Sequence, residues 1–249
     1  MPQPPQDDPS TAAVPPGVAR ARDVPSLLEA LVEADPGRPR LTWYGLDGER
    51  VELSARVLVN WVAKTADLLA NECDVEPGDV VELALPAGWR TAVIALATWC
   101  LGAEPSWDGD EGEMLDDLEP QPPAVLVTTA DGPVGPAARV VVVDTPALSR
   151  RTEGGPPGAL DYNAEVTGRD DVLAVDEQAQ DRRVLELADD LARICEWRPG
   201  ERVLGLAEDL GPDLVLGALR RDGSVVAVAG EAGLDLDDLA AQEQATARA

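Results

Sequence analysis

The stretch VEPGDVVELALPAGW, Val75 to Trp89, decides how this chain is to be read. A helix-compatible run ends just before it, at LLANECD. Pro77-Gly78-Asp79 then makes a turn, because proline presets its own φ and glycine accepts positive φ without steric penalty. VVELAL reads as a strand, and Pro86-Ala87-Gly88 supplies the next turn. Arg90 to Leu101 follows with apolar residues suited to a helix, and Gly102 is placed to end it in a left-handed cap. Turn, strand, turn and helix in this order make one unit of a parallel α/β sheet.

Upstream, RLTWY, Asp47-Gly48 and RVEL form a hairpin, since Asp-Gly between β-rich runs favours a tight primed turn. A short helix is expected over Pro25 to Ala34. Ser54 stands where an N-cap belongs, before a helix running to about Glu72. Leu58, Trp61, Val62, Thr65, Leu68 and Leu69 recur along it at helical spacing. Downstream, AVLVTT and RVVVVD are continuous enough in apolar character to be strands buried on both faces.

The unit then recurs. Asp181 to Glu196 reads as a helix with Val184, Leu187, Ala188, Leu191 and Ile194 on its inner face. WRPGERVLGLA supplies a turn and a strand, a helix follows near Asp213 to Arg220, and Asp222-Gly223 turns the chain into SVVAVA. Pro199-Gly200-Glu201 falls on Pro77-Gly78-Asp79, Cys195 on Cys73, Leu191 on Leu69 and Val203 on Val81. The fold class implied is α/β, with two similar parallel lobes and helices on both sheet faces. The expected organisation is a disordered Pro-rich lead-in over 1–22, a first lobe over 23–148 and a loop-like connector over 149–170. A second lobe over 171–230 partly repeats 55–104, and an acidic tail occupies 231–249.

Composition excludes several functions. The 249 residues carry 47 Asp plus Glu against 20 Lys plus Arg, a net charge of -27. Nucleic acid and anionic membranes are excluded as expected partners, because both bind through neutralised phosphates. There is no histidine, so no imidazole base, no Ser-His or Cys-His pair and no histidine-ligated metal. Cys73, Cys100 and Cys195 form no Cys-x-x-Cys pair and read as reduced, half-buried thiols of a cytoplasmic protein. The first residues have neither a basic n-region nor an apolar h-region, so no signal peptide is read there. Lys64, the single lysine, is expected to snorkel from mid-helix to solvent.

The run from Arg40 to Ser106 resembles the opening of the acyl-CoA synthetases and adenylation domains, the AMP-forming ligases. Leu41-Thr42-Trp43-Tyr44, Pro77-Gly78-Asp79, Leu85-Pro86-Ala87 and Gly102-Ala103 match that family's motifs in order, and the second unit is similar to its next lobe. The likeness covers roughly residues 24–230. It extends in particular to a small family of short proteins of high-GC Gram-positive bacteria that resemble only the N-terminal part of these ligases. All the matched residues are scaffold in the family.

The resemblance also says where chemistry would lie. The ligases hold ATP phosphates in a loop rich in Ser, Thr and Gly that ends in Pro-Lys-Gly, where backbone N–H groups and a cation form an anion nest. The equivalent window here, DDVLAVDEQAQD (Asp170 to Asp181), has no Gly, Ser, Thr or Lys and carries Asp170, Asp171, Asp176, Glu177 and Asp181. Arg182 and Arg183 follow it and offset these acids only in part. The family's His-containing segment is replaced by EDLGPD, Glu208 to Asp213. The adenosine motifs and the C-terminal lid with its catalytic lysine would lie beyond residue 249. No catalytic, cofactor-binding or metal-binding residue is therefore assigned, and no cofactor is expected.

Weaker signals read as structure. DGDEGEMLDDLE lacks calcium-loop spacing and is expected to be a solvated acidic segment. TTADGPVGP, Thr128 to Pro136, follows a strand at the edge where open α/β sheets bind ligands, but without positive charge it reads as a connecting turn. Trp89 and Trp99 read as core or lobe contacts. The functional expectation is a noncatalytic homologue, a pseudoenzyme that binds a protein or small-molecule partner. The alternative is half of a split ligase completed by another chain, and an unrelated enzyme using Asp or Arg at a new cleft stays open.

Overall fold

The computed structural model describes residues 13–107, 122–173 and 182–249. The first part of the expected lead-in, the acidic segment 108–121 and residues 174–181 lie outside the described residues. Within the expected lead-in the structure differs from the sequence reading. Pro16–Arg20 is a helix, α1, with Val18 fully buried, because its apolar side packs on the next helix, α2 (Val24–Ala34). Asp23 and Ser26 start α2 with a reciprocal capping box, the Asp23 carboxylate accepting from the Ser26 N–H at 2.8 Å.

β1 (Pro39–Tyr44) and β2 (Arg50–Ser54) pair antiparallel as a hairpin. Their turn is a 3-10 turn at Leu46–Gly48 in place of the two-residue primed turn expected. The Gly45 N–H donates to the Glu49 carbonyl at 2.9 Å, which leaves three residues in the loop, and Gly48 supplies the left-handed position at φ 76°. Ser54 caps α3 (Ala55–Glu72), its hydroxyl accepting from the Val57 N–H at 3.4 Å. Leu58, Val62, Thr65, Leu68 and Leu69 are buried along α3, as the spacing requires.

The first unit continues through β3 (Val80–Ala84), α4 (Trp89–Cys100) and β4 (Glu104–Trp107), then β5 (Val125–Thr128) and β6 (Arg139–Val142). The expected loop over 149–170 is more ordered than its composition implied. It contains β7 (Leu160–Asp161) and α5 (Tyr162–Glu165) and is tied down along its length. The Tyr162 and Thr65 hydroxyls are hydrogen-bonded at 2.8 Å, and Asn163 accepts from the Asp144 N–H at 2.9 Å. Lys64 does not snorkel; its ammonium donates to the carbonyls of Thr167 and Arg169 at 3.2 and 2.5 Å. The second unit comprises α6 (Arg182–Ile194), β8 (Arg202–Leu206), α7 (Pro212–Arg220) and β9 (Ser224–Val228), followed by α8 (Leu236–Gln242) and β10 (Ala247–Arg248).

The strands form two sheets, in the orders β4-β3-β5-β6-β7 and β10-β8-β9-β1-β2. All pairs are parallel except β1 with β2. The lobes therefore interlace along the chain, contrary to the expected boundaries. The hairpin β1-β2 joins the second sheet, because β1 pairs with β9, Leu41 opposite Val225. The connector's β7 pairs with β6 and closes the first sheet. One continuous core joins the facing sides of both sheets through α2, α3, α4 and α7. Helices do not cover both faces everywhere: Val80 and Glu82 of β3 are exposed on the far side.

The internal repeat extends to single hydrogen bonds. Asp74 and Glu196 hold φ of 55° and 57°. The Glu76 N–H donates to the Asp79 carboxylate and the Arg198 N–H to the Glu201 carboxylate, each at 2.8 Å. Gly78 and Gly200 donate at 2.8 Å to the carbonyls of Gly102 and Arg221, which follow the paired helices. Val81 lies opposite Pro105 across the first parallel pair as Val203 lies opposite Val225 across the second.

Two ionic groups fix the second sheet. Arg40 enters β1 with its side chain 0% exposed, its guanidinium donating to the carbonyls of Asp222 and Gly223 at 2.8 and 3.1 Å. Its other terminal nitrogen stands 2.8 Å from the Asp222 carboxylate, whose second oxygen accepts from Arg38 at 2.9 Å. At the other end of the chain the expected acidic tail is not a frayed end. Leu239 of α8 packs on Tyr44, Leu204, Val226 and Val228 and covers the outer face of the sheet. β10 adds the edge strand beside β8, and the carboxylate of Glu243 accepts from Tyr44, Arg50 and Arg202.

The apolar stripe of α6 is only partly buried. Leu185, Ala188 and Ala192 face α7 and the core, while Leu187 is 56% and Ile194 75% exposed. The expected inner face is thus rotated. Leu185 and Ala192, absent from the sequence-derived set, take the inside, because α6 meets α7 through small residues, with Gly217 3.3 Å from the Ala188 carbonyl for any methyl placed on it.

Three outcomes follow. Asp222→Asn keeps a residue tolerated at φ 56° but removes the charge beside a buried guanidinium, so unfolding free energy falls by about 3 kcal/mol in urea titration. Leu185→Ala costs about 3 kcal/mol in the same assay, whereas Ile194→Lys changes stability by less than about 0.5 kcal/mol. For Glu243, burial acts to raise the pKa, but hydrogen bonds from Tyr44, Arg202 and Arg50 outweigh it and hold the carboxyl below its ordinary value of 4.5. A depressed folded pKa stabilises above the unfolded value. The stability margin of wild type over Glu243→Gln is therefore full at pH 7, begins to shrink below about pH 4.5 and vanishes below the folded pKa. Matched denaturation curves across that range measure it.

Candidate functional site

The repeat brings two helix starts to one place. α4 begins at Gly88 and α7 at Gly211, and neither N-cap has a side-chain hydrogen bond. Both follow the carboxyl ends of parallel strands, β3 and β8, where open α/β sheets present ligand sites. Between them lies a cleft of about 420 Å³ whose lining includes Leu85, Gly88, Trp107, Glu208, Asp213 and Leu214. Its volume falls within the usual range for small-molecule sites, about 300–1,000 Å³.

Local sequence builds each wall. Pro86-Ala87-Gly88 turns the chain out of β3, and the Thr91 hydroxyl closes the turn by donating to the Pro86 carbonyl at 2.8 Å. Trp107 ends β4 and stands edge-on to Trp99 of α4, ring centroids 6.2 Å apart. At Gly211, which caps α7, a methyl would stand 2.5 Å from Asp213 Oδ1 and 3.6 Å from the Trp107 indole nitrogen. Glu208 is held at the mouth, accepting from the Gly230 N–H at 3.2 Å. Among the described residues the lining contains Glu208, Asp209 and Asp213 and no basic residue. The nearby Arg90 turns away, donating to the carbonyls of Thr145 and Ala147 at 2.7 and 3.2 Å.

The structure thus gives EDLGPD, read in the sequence only for the imidazole it lacks, the role of a cleft wall. Other sequence candidates lie elsewhere. Asp171 accepts from Asn60 of α3 at 3.1 Å, and Asp170 is beside it, while residues 174–181 of the window lie outside the described residues. Arg182 and Arg183 occupy the exposed first turn of α6. TTADGPVGP connects β5 to β6, and Gly132 folds over Thr128 so closely that a methyl would overlap its hydroxyl oxygen at 2.2 Å. It does not line the cleft.

Cys73 and Cys100 are buried more deeply than expected and Cys195 is half-buried; all three are free. Burial pushes the Cys73 thiol up to about 11 and the Cys100 thiol higher still, which opposes thiolate chemistry at neutral pH. Among the described residues no group of three or more acidic or thiol side chains is arranged to hold a metal ion. None of the described helices is long and apolar enough to cross a membrane.

No family model matches the chain. Over 151 residues it is 35% identical to a TIGR03089 family protein of Mycobacterium tuberculosis, the match covering 57% of this chain and 58% of that protein. Among solved structures, an acyl-CoA synthetase of Brucella canis superposes with a TM-score of 0.62 at 16% identity, covering 95% of this chain and 52% of that one. A fatty acyl-adenylate ligase of Legionella pneumophila gives 0.61 at 12% identity over 94% and 45%. A fatty acyl-CoA synthetase of Mycobacterium tuberculosis gives 0.60 at 13% identity over 90% and 48%. The chain spans about half the length of these enzymes. Its two interlaced parallel sheets have the fold of the N-terminal part of the acyl-CoA synthetases and related adenylate-forming ligases.

Proposed function

We propose that this chain is a noncatalytic counterpart of the N-terminal part of an AMP-forming ligase, a cytoplasmic module that binds a small molecule in the cleft between its two repeat units. The observation that supports this reading is the charge of the cleft. Glu208, Asp209 and Asp213 stand on one wall, and among the described residues the lining has no basic side chain. A carboxylate about 4 Å from a substrate's negative charge costs roughly 1 kcal/mol in water and about 4 kcal/mol at an effective dielectric of 20. Phosphoryl and acyl-phosphate chemistry needs the opposite sign, preorganised donors and cations whose loss costs about 10²- to 10³-fold each. The sequence from Asp170 to Asp181 supplies no glycine, hydroxyl or lysine for such a nest.

The purified chain is therefore expected to give no carboxylate-dependent exchange of labelled pyrophosphate into ATP over a panel of fatty, aryl and amino acids. Millimolar ATP is expected to leave its thermal midpoint unchanged. Exchange well above a heat-killed blank, abolished by the double variant Arg182→Ala, Arg183→Ala, would overturn the noncatalytic reading.

A second reading, half of a split ligase, is favoured by one observation: Leu187 of α6 is exposed beside Trp99, and Ile194 is exposed on the same helix. A partner chain carrying a phosphate loop and lid would cover them. In that case exchange is absent from the chain alone, present in the complex purified from its native cells, and lost when Leu187→Lys and Ile194→Lys are introduced.

A further inference from the structure

The cleft combines an apolar floor with acids confined to one wall, and that asymmetry carries chemical information about what fits it. Leu85, Trp107 and Leu214 offer hydrocarbon and an aromatic face. The acids all come from one segment of the lining, where Glu208 and Asp209 are exposed and Asp213 is half-buried in the first turn of α7. Glu208 is oriented by the Gly230 N–H, and the Asp209 side chain has no hydrogen bond or ion pair among the described residues. The whole chain, at -27, adds a long-range field of the same sign.

Resting on the reading of this cleft as a ligand site, we propose that its ligand is an organic ammonium: a protonated primary or secondary amine on a short apolar body. The hydrocarbon lies on the Leu85–Leu214 floor, and the ammonium faces the Glu208–Asp213 wall. A metal ion does not meet the same description, because among the described residues the carboxylates are not gathered into a coordinating group and the floor supplies no ligand atoms. Trp107 strengthens the preference, since an indole face attracts a cation and repels an anion. Carboxylates and phosphates of the same size meet the acid wall and are rejected.

The test compares three probes of one shape on the intact chain: n-hexylammonium, 1-hexanol and hexanoate. Affinities are read by calorimetry, and the site by amide and indole NMR shifts of Leu85, Trp107 and Leu214. The ammonium is expected to bind about tenfold more tightly than the alcohol, with hexanoate weakest, and to weaken as salt rises. Asp209→Asn alone, and Asp209→Asn with Asp213→Asn, reduce ammonium affinity about five- to tenfold and leave hexanol unchanged. Glu29→Gln with Glu33→Gln, on the exposed side of α2, changes neither and excludes diffuse attraction to an acidic surface. Hexanoate binding as well as the ammonium overturns the proposal, as does ammonium affinity indifferent to Asp209 and Asp213. If hexanol binds at the cleft as tightly as the ammonium, the charge preference fails and the ligand site stands. If no probe shifts the cleft residues, both fall.

Discussion

Helix α4 has no solvent side. Every residue from Trp89 to Thr98 is buried, as is Cys100, and only Trp99 is partly open. A helix apolar all round must be covered all round, and that requirement organises the rest of the molecule. The first sheet alone covers one side. α2 and α3 cover a second, α7 a third, and β1 of the other sheet reaches it as well. The hairpin β1-β2 precedes α4 in the chain but lies across it in the second sheet. The two lobes therefore interlace around α4 and do not sit side by side as separable domains.

The same constraint explains where the cleft is. α4 and α7 are repeat-related helices packed against each other, so their amino ends lie at the same edge of the protein. Each unit leaves its strand through a turn ending in glycine, and each glycine serves as an N-cap without a side chain. Two such starts side by side leave space at the strand ends, and Trp107 with Leu214 lines it with apolar surface. Helix amino ends favour anions. Here Asp213 sits within the first turn of α7 and already supplies negative charge at that amino end.

Much of this was legible in the chain because turn chemistry is local. Pro-Gly-Asp and Pro-Gly-Glu announced the two units, Ser54 announced α3, and Gly102 announced the end of α4. What stayed hidden was decided between distant residues. Nothing near Leu41 says that it pairs with Val225, and nothing in the last residues says that Glu243 will meet Arg50 and Arg202. Acidic composition made the C-terminal segment look solvated, yet Leu239, with Leu236 and three alanines packed around it, covers a sheet face. On α6 the apolar stripe is wider than the contact it makes. Periodicity alone placed Leu187 and Ile194 inside, and only the close approach of Gly217 to Ala188 shows which edge of the stripe is used.

The scaffold and the cleft rest on different kinds of residue. Positions such as Val81, Leu83, Ile94 and Val225 are buried in one shared core, and deleting a single side chain there costs about 2–5 kcal/mol, a large part of the stability of an ordinary domain. The cleft wall from Glu208 to Asp213 is a loop and a helix start; exchanging its charges disturbs little packing, since Glu208 and Asp209 are exposed. A fold of this kind holds its strand ends in place whatever side chains the connecting loops carry. On the reading proposed above, acids beside apolar residues give the cleft a sign opposite to the one phosphate transfer requires.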